Sequence, residues 1–367
     1  MKSEDTVPSA AGADITIAID RCLAVITLQR VRALNALTAS MRTEIAAAVP
    51  GFAREPQVYA VLLQSTSPRA FSAGSDVREI VQLAQRSRAE ARAAFADEYR
   101  MNWLLECFSK PTISLIDGMV MGGGVGISGF NTHRVAGEAY SWAMPETMIG
   151  LFPDVGAAHA LSRLGPEGQY LALTGRSIGR ADAFRLGLAS HCIAAQHFPR
   201  IAEDLALANT VDPLLDGLHE DPGTGELEAY ADVIALAFSA CCVEDIVSRL
   251  DAVQGAKRAW AQQVVADLRK RSPLSLKVTH RHLKEAAALD IQRTLIADYR
   301  LACRFLEGHD FYEGVRASII DKDGAPAWSP ASLAAVTADQ VDRYFVPLPA
   351  SEELVLPSRE DMQKARV

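Results

Sequence analysis

Three short segments of this chain carry residue types that could do chemistry together: Ala73-Gly74-Ser75-Asp76, Gly122-Gly123-Gly124-Val125-Gly126 and Met144-Pro145-Glu146. The first two read as loops that end by opening a helix. The first N–H groups of a helix lack internal partners and sit at the positive end of its dipole, so each segment offers donors to an oxygen that is gaining charge. Two such ends aimed at one point form an oxyanion hole, in which a single donor contributes about 3 kcal/mol of transition-state stabilisation. The glycine density supports this reading. In GMVMGGGVGISGF at 118–130 each Gly costs a helix about 1 kcal/mol against Ala, and close backbone approach accounts for so many of them better than helix formation does.

The elements that must hold these segments alternate between strand and helix. Two β-branched runs at 14–29, ITIAID and CLAVITLQ, flank Arg21 and predict an antiparallel hairpin. A helix from about Thr38, a strand at 58–64, a long polar-faced helical stretch at 76–106 and a strand at 112–118 follow. Short strands near 133–143, a helix from Asp154, a Gly-bounded turn at TGRSIGR and a helix at 181–187 continue the pattern, which makes this part α/β. Past about 195 the pattern is helical to roughly 310, with Ser272 and Pro273 placed to cap one helix. The segment from about 345, rich in Pro and charge, is expected to dock weakly or fray, and residues 1–13 to form a loose tail. There is no internal repeat.

With 367 residues, 49% hydrophobic and 22% charged, the chain can build a sizeable core. A net charge of -8 with scattered basic residues leaves no footprint for nucleic acid or an anionic membrane, so an anionic ligand must be met locally. Six dispersed cysteines, without a Cys-x-x-Cys pair or His at finger spacing, read as buried thiols in a reducing compartment and not as a metal site. His280 and His282 are two apart and do not share a helix face. No segment holds 18 apolar residues without a charge, and the first residues do not read as a signal peptide, so the cytoplasm is the expected location.

In order, spacing and wording, AFSAGSD at 70–76, DGMVMGGGVG at 117–126 and AMPETMIGLFPDVG at 143–156 resemble the crotonase (enoyl-CoA hydratase/isomerase) superfamily. DEYRMN at 97–102, SPLSLKVT at 272–279 and GHDFYEGVRASIIDKD at 308–323 resemble its 3-hydroxyisobutyryl-CoA hydrolase branch, so the likeness covers roughly 14–345. It implies an α/β fold, the crotonase spiral of ββα units over 14–195, with a helical region at 196–345 covering the acyl pocket and a tail at 346–367. It places the oxyanion-hole amides on Ser75 and Gly123, with Gly74, Gly122 and Asp76 around the substrate. It implies a short acyl-CoA substrate, no cofactor beyond that CoA, and a possible homo-oligomer, trimer or hexamer.

Hydratases of this superfamily use two glutamates, one three residues after the middle glycine and one in the Pro-Glu pair. This chain has Gly126 at the first position and Glu146 at the second. Hydration needs one group to activate water and another to manage the α-carbon proton, so the loss of one carboxylate points away from it. The hydrolase branch keeps the Pro-Glu glutamate and adds an aspartate eight residues later, here Asp154. There the glutamate attacks the thioester or directs water to it. Glu146 is therefore the expected nucleophile or base, with Asp154 and Glu98 contacting the 3-hydroxyl and the water. Crowded carboxylates in a partly dry pocket should leave one with a raised pKa. Arg32, just before Leu34-Asn35, and Arg30 are the expected CoA phosphate contacts. Val31 departs from the motif's usual proline and Ser75 from its usual glycine.

Plainer readings compete. Gly124, Gly126 and Gly129 spell G-x-G-x-x-G with Glu146 twenty residues on, a dinucleotide-binding pattern, but Pro145 does not suit the strand end that such an acid requires. Glu98 lies in RSRAEARAAFADEYR, which resembles a solvated helix face. Asp154 could cap the following helix. Two further functions stay open: an enoyl-CoA hydratase or isomerase using Glu146 alone, and an acyl-CoA binding protein without turnover.

Overall fold

The computed structural model describes residues 13–367, so the N-terminal tail expected at 1–13 lies almost wholly outside the described residues. The chain opens with β1 (Ile15–Asp20) and β2 (Leu23–Leu28), an antiparallel hairpin that turns at Arg21 in the left-handed region, φ 54°. Thr38 caps α1 (Ala39–Arg54) by accepting the Met41 N–H.

From there the chain repeats one manoeuvre. It adds a strand to a large sheet, bends, adds a three-residue strand to a small sheet, and leaves as helix. β3 (Ala60–Ser65) passes to β4 (Ala70–Ser72), then to α2 (Val77–Arg86) and α3 (Arg88–Cys107). β5 (Thr112–Ile116) passes to β6 (Met119–Met121) and α4 (Gly123–Ser128). β7 (His133–Ala136) passes to β8 (Ser141–Ala143) and, after a 3-10 turn at Glu146–Ile149, to α5 (Ala157–Arg163). β9 (His191–Cys192) closes the large sheet, whose order is β1-β2-β3-β5-β7-β9, while the small sheet runs β4-β6-β8. All pairings but β1–β2 are parallel, as repeated crossovers require. This is the crotonase spiral of ββα units.

The long helical stretch expected at 76–106 is broken at Ser87, whose extended backbone (φ -158°, ψ 120°) ends α2 and redirects α3. After β9 the described chain is helical. Ser272 caps the helix Pro273–Ala286 through the Ser275 N–H at 3.1 Å, and the helices Ile291–Phe305 and Asp310–Val315 follow. The terminal segment docks more firmly than its composition suggests. Leu354, Leu356 and Met362 are buried, and the Pro357 carbonyl accepts from Trp103 Nε1 at 2.9 Å and Gln292 Nε2 at 2.8 Å. The cysteines also depart from expectation: Cys107, Cys192 and Cys303 are buried, but Cys241 is exposed and Cys22 and Cys242 are half-buried.

Candidate active site

Because β4, β6 and β8 are adjacent and parallel, their carboxyl ends fall on one edge, which in α/β sheets is where ligands are met. The chain leaves that edge through Gly74-Ser75 after β4, Gly122-Gly123 after β6 and Pro145-Glu146 after β8. Gly74 (φ 100°) and Gly122 (φ 48°, ψ -124°) adopt dihedrals that strain any residue with a side chain. Their freedom brings the two loops together: a Cβ on Gly74 would lie 3.4 Å from the Gly123 nitrogen, and one on Gly123 would lie 2.9 Å from the Ser75 nitrogen. Among the described residues neither of these two N–H groups has a backbone acceptor.

Glu146 sits beside this pair, since a Cβ on Gly122 would be 2.8 Å from its Oε1. It is buried, and its Oε2 has no hydrogen-bond partner. Burial first, and the charge of Glu98 second, push its carboxyl up to about 8. Asp154 is buried with it and is raised well above the ordinary carboxyl range by burial, then by Glu146 and Glu98. Tyr99 donates its hydroxyl to Asp154 Oδ2 at 2.6 Å, which partly offsets the shift. Two acids rather than one are therefore shifted upward in this pocket.

Glu98 is only 1% exposed, although its neighbours in sequence read as a solvated face. One side of α3 turns Phe95, Glu98, Tyr99 and Asn102 inward, and the charges that suggested solvent, Asp97 and Arg100, pair with each other outside. Ser75 Oγ donates to Glu98 Oε1 in a short hydrogen bond, and Arg42 Nη1 stands 3.8 Å from Oε2. The departure from glycine at position 75 thus ties this loop to a carboxylate.

Asp154 does not cap the next helix with its side chain. α5 begins at Ala157, and the Asp154 backbone carbonyl takes the Ala157 N–H at 2.9 Å. The intervening Val155 has φ 52°, a left-handed conformation that costs a residue of this type about 1–2 kcal/mol.

These carboxylates and glycines enclose a cavity of about 390 Å³, lined also by Phe95, Ile149, Leu151, Ser318 and Ile319. The last two come from the C-terminal region, in a π-helical turn at Arg316–Ile320, where Arg78 Nη2 donates to the Ile319 carbonyl at 2.6 Å. A larger cavity, about 610 Å³, lies between α1, α3 and the terminal segment but contains none of the three carboxylates, so size alone does not locate the chemistry.

Asp76 turns away from the cavity to accept from Arg30 Nη1 at 2.8 Å, and Arg30 also donates to the Ala36 carbonyl at 3.0 Å. Arg30 is thereby committed within the protein. Arg32 is 80% exposed, with Asp14 at 3.4 Å, and is free to swing toward a ligand. Tyr99 and Arg42 were not singled out in the sequence. Tyr99 adjoins Glu98 in DEYRMN, and that adjacency is the signal that could have found it.

Residues 23–345 match the family described as enoyl-CoA hydratase/isomerase. The 3-hydroxyisobutyryl-CoA hydrolase, mitochondrial, of Bos taurus is 36% identical over 353 residues, covering 93% of this chain and 91% of that protein. The 3-hydroxyisobutyryl-CoA hydrolase 1 of Arabidopsis thaliana is 35% identical, covering 97% of each. A crystal structure described as an enoyl-CoA hydratase from Rhodobacter sphaeroides superimposes with a TM-score of 0.88 at 35% identity, covering 94% of this chain and all of that one.

Proposed function

Since this chain belongs to the enoyl-CoA hydratase/isomerase family, we propose that it hydrolyses a short, branched 3-hydroxyacyl-CoA thioester, 3-hydroxyisobutyryl-CoA, to the free acid and CoA, a step of valine catabolism. The names of the curated relatives support this reading. The observation that carries it is Glu146: a buried carboxylate with an unpartnered oxygen, set against two unpartnered amides, in a chain with glycine at position 126.

The thioester carbonyl oxygen lies between the Ser75 and Gly123 N–H groups, which stabilise it as it takes up charge. Glu146 delivers the attacking oxygen to the carbonyl carbon, either its own or that of a water from which it takes the proton. As the tetrahedral centre collapses, the carbon–sulfur bond breaks and CoA departs as a thiolate that is then protonated. Water supplies the net oxygen and protons, so the chemistry calls for no cofactor beyond the CoA of the substrate. Asp154, held by Tyr99, and Glu98, held by Ser75, receive the 3-hydroxyl and the water. Arg32 is placed for the CoA phosphates. The six cysteines are unpaired, which supports a reducing compartment such as the cytoplasm.

The Rhodobacter structure's description keeps hydration as a second reading. Purified protein incubated separately with 3-hydroxyisobutyryl-CoA and with crotonyl-CoA distinguishes the two. Thiol release from the first, without loss of enoyl absorbance in the second, is the expected result. Enoyl loss without thiol would favour a hydratase, and CoA-ester binding with neither signal a binding protein.

A further inference from the structure

Behind the turn that presents Asp154 lies a buried acid–imidazole pair that the proposed chemistry does not use. His282, on the helix Pro273–Ala286, and Asp298, on the helix Ile291–Phe305, stand 2.6 Å apart through Nε2 and Oδ1 and are 2% and 0% exposed. The second oxygen of Asp298 accepts the Gly156 N–H at 2.8 Å. On the other side of Asp154, the Phe152 ring meets His282 edge-on with centroids 5.6 Å apart, and stacks on Phe305 at 5.5 Å. The same pair therefore grips the chain two residues before Asp154 and two residues after it. Between these grips Val155 and Gly156 both hold positive φ, 52° and 79°. A β-branched residue keeps such dihedrals only where its surroundings over-determine them, and the bond from Gly156 to Asp298 fixes the backbone immediately past Val155. Neither His282 nor Asp298 lines the cavity.

We infer that Asp298, oriented by His282, is a positioning residue for Asp154: it locks the left-handed turn that directs the Asp154 carboxyl into the cavity. The inference rests on the proposed role of Asp154. The ionisable groups that face Asp154 are Tyr99 and Glu98 from α3, Glu146 from the turn after β8, and Asp298 from the helix Ile291–Phe305, with His282 reaching it only through Asp298. Asp298 and the two glutamates all oppose ionisation of Asp154.

The test is Asp298→Asn, close in shape and without the charge, assayed for hydrolysis of 3-hydroxyisobutyryl-CoA across pH. The turn loosens, so kcat falls about tenfold or more while KM stays within about twofold. Asp298 opposes ionisation of Asp154, so its replacement favours that ionisation and moves the limb of the pH–rate profile that reports Asp154 to lower pH. A residue with only a structural role would scale the profile without displacing it. His282→Gln guards against misfolding of the first variant, since it leaves the Asp298 carboxyl in place and loosens only its orientation. It is expected to lower kcat with the limbs in place. A pH–rate profile left unshifted in D298N, or wild-type kcat in H282Q, overturns the inference. Absence of thioester hydrolysis in the unaltered protein would instead overturn the role of Asp154 on which it rests.

Discussion

Gly126 faces Val155 and Asn102 so closely that a Cβ on it would lie 2.9 Å from Val155 Cβ and 2.9 Å from Asn102 Nδ2. Asn102 also donates to the Gly126 carbonyl at 2.9 Å. The space into which a second glutamate would project is therefore filled from α3 on one side and from the Asp154 turn on the other. The missing carboxylate is a packed arrangement and not a vacancy that one substitution would refill.

Gly126→Glu is accordingly expected to lose about 1–3 kcal/mol of stability in denaturant unfolding, as over-packed cores do, and to gain no hydration of crotonyl-CoA. Hydration by the folded variant would show that the packing leaves room for hydratase chemistry.

Glu146→Gln should bind the CoA ester with near-normal affinity and lose about 10²–10⁴-fold in kcat, read by thiol release. A near-normal rate would remove Glu146 from the mechanism.

The same substitution tests the electrostatics through stability. The Glu146 carboxyl is raised from 4.5 to about 8 in the folded protein, so the folded state keeps a proton that the unfolded chain has already released. Stability is thus fully present below about 4.5 and is lost as pH rises through about 8, by an amount on the order of 5 kcal/mol. Thermal unfolding of E146Q should match wild type at pH 4.5 and exceed it at pH 9. Equal curves at both pH values would mean that the carboxyl ionises normally.

Tyr99→Phe removes the donor that favours the ionised form of Asp154, so the Asp154 carboxyl should rise further. The limb of the pH–rate profile that reports Asp154 is expected to move up, opposite to the effect of D298N, with a stability loss of about 1–3 kcal/mol for the buried oxygen left unpaired. A downward or absent shift would separate Tyr99 from the titration of Asp154.

In the proposed mechanism Ser75 acts through its backbone N–H. Ser75→Ala keeps the N–H and should retain kcat within about tenfold, whereas Ser75→Pro removes it and should cost about 10²–10³-fold at similar thermal stability. Equal losses in the two variants would assign the role to the hydroxyl and its bond to Glu98.

The glycine loops and the Pro-Glu pair were legible in the sequence because their task restricts them. An amide that must approach another backbone, or a residue held at φ 100°, leaves glycine as the ready choice, and the order of the segments follows the strand order. Glu98 was obscured for the opposite reason. Asp97 and Arg100 beside it do face solvent, and only tertiary packing decides which side of α3 is buried. The break at Ser87 was hidden by helix-forming residues on both sides of it. The helix expected from Asp154 begins at Ala157 because Val155 takes a dihedral that no propensity scale assigns to valine. His282 and Asp298, far apart in sequence, carry no local pattern that marks them as a pair.

Two parts of the cavity wall come from distant parts of the chain. The amides and Glu146 arrive at the ends of three adjoining strands, while Ser318 and Ile319 arrive on a helical turn from the far end of the chain, fastened by Arg78. A change confined to that turn would reshape part of the cavity wall without touching the strand ends that carry the amides and Glu146.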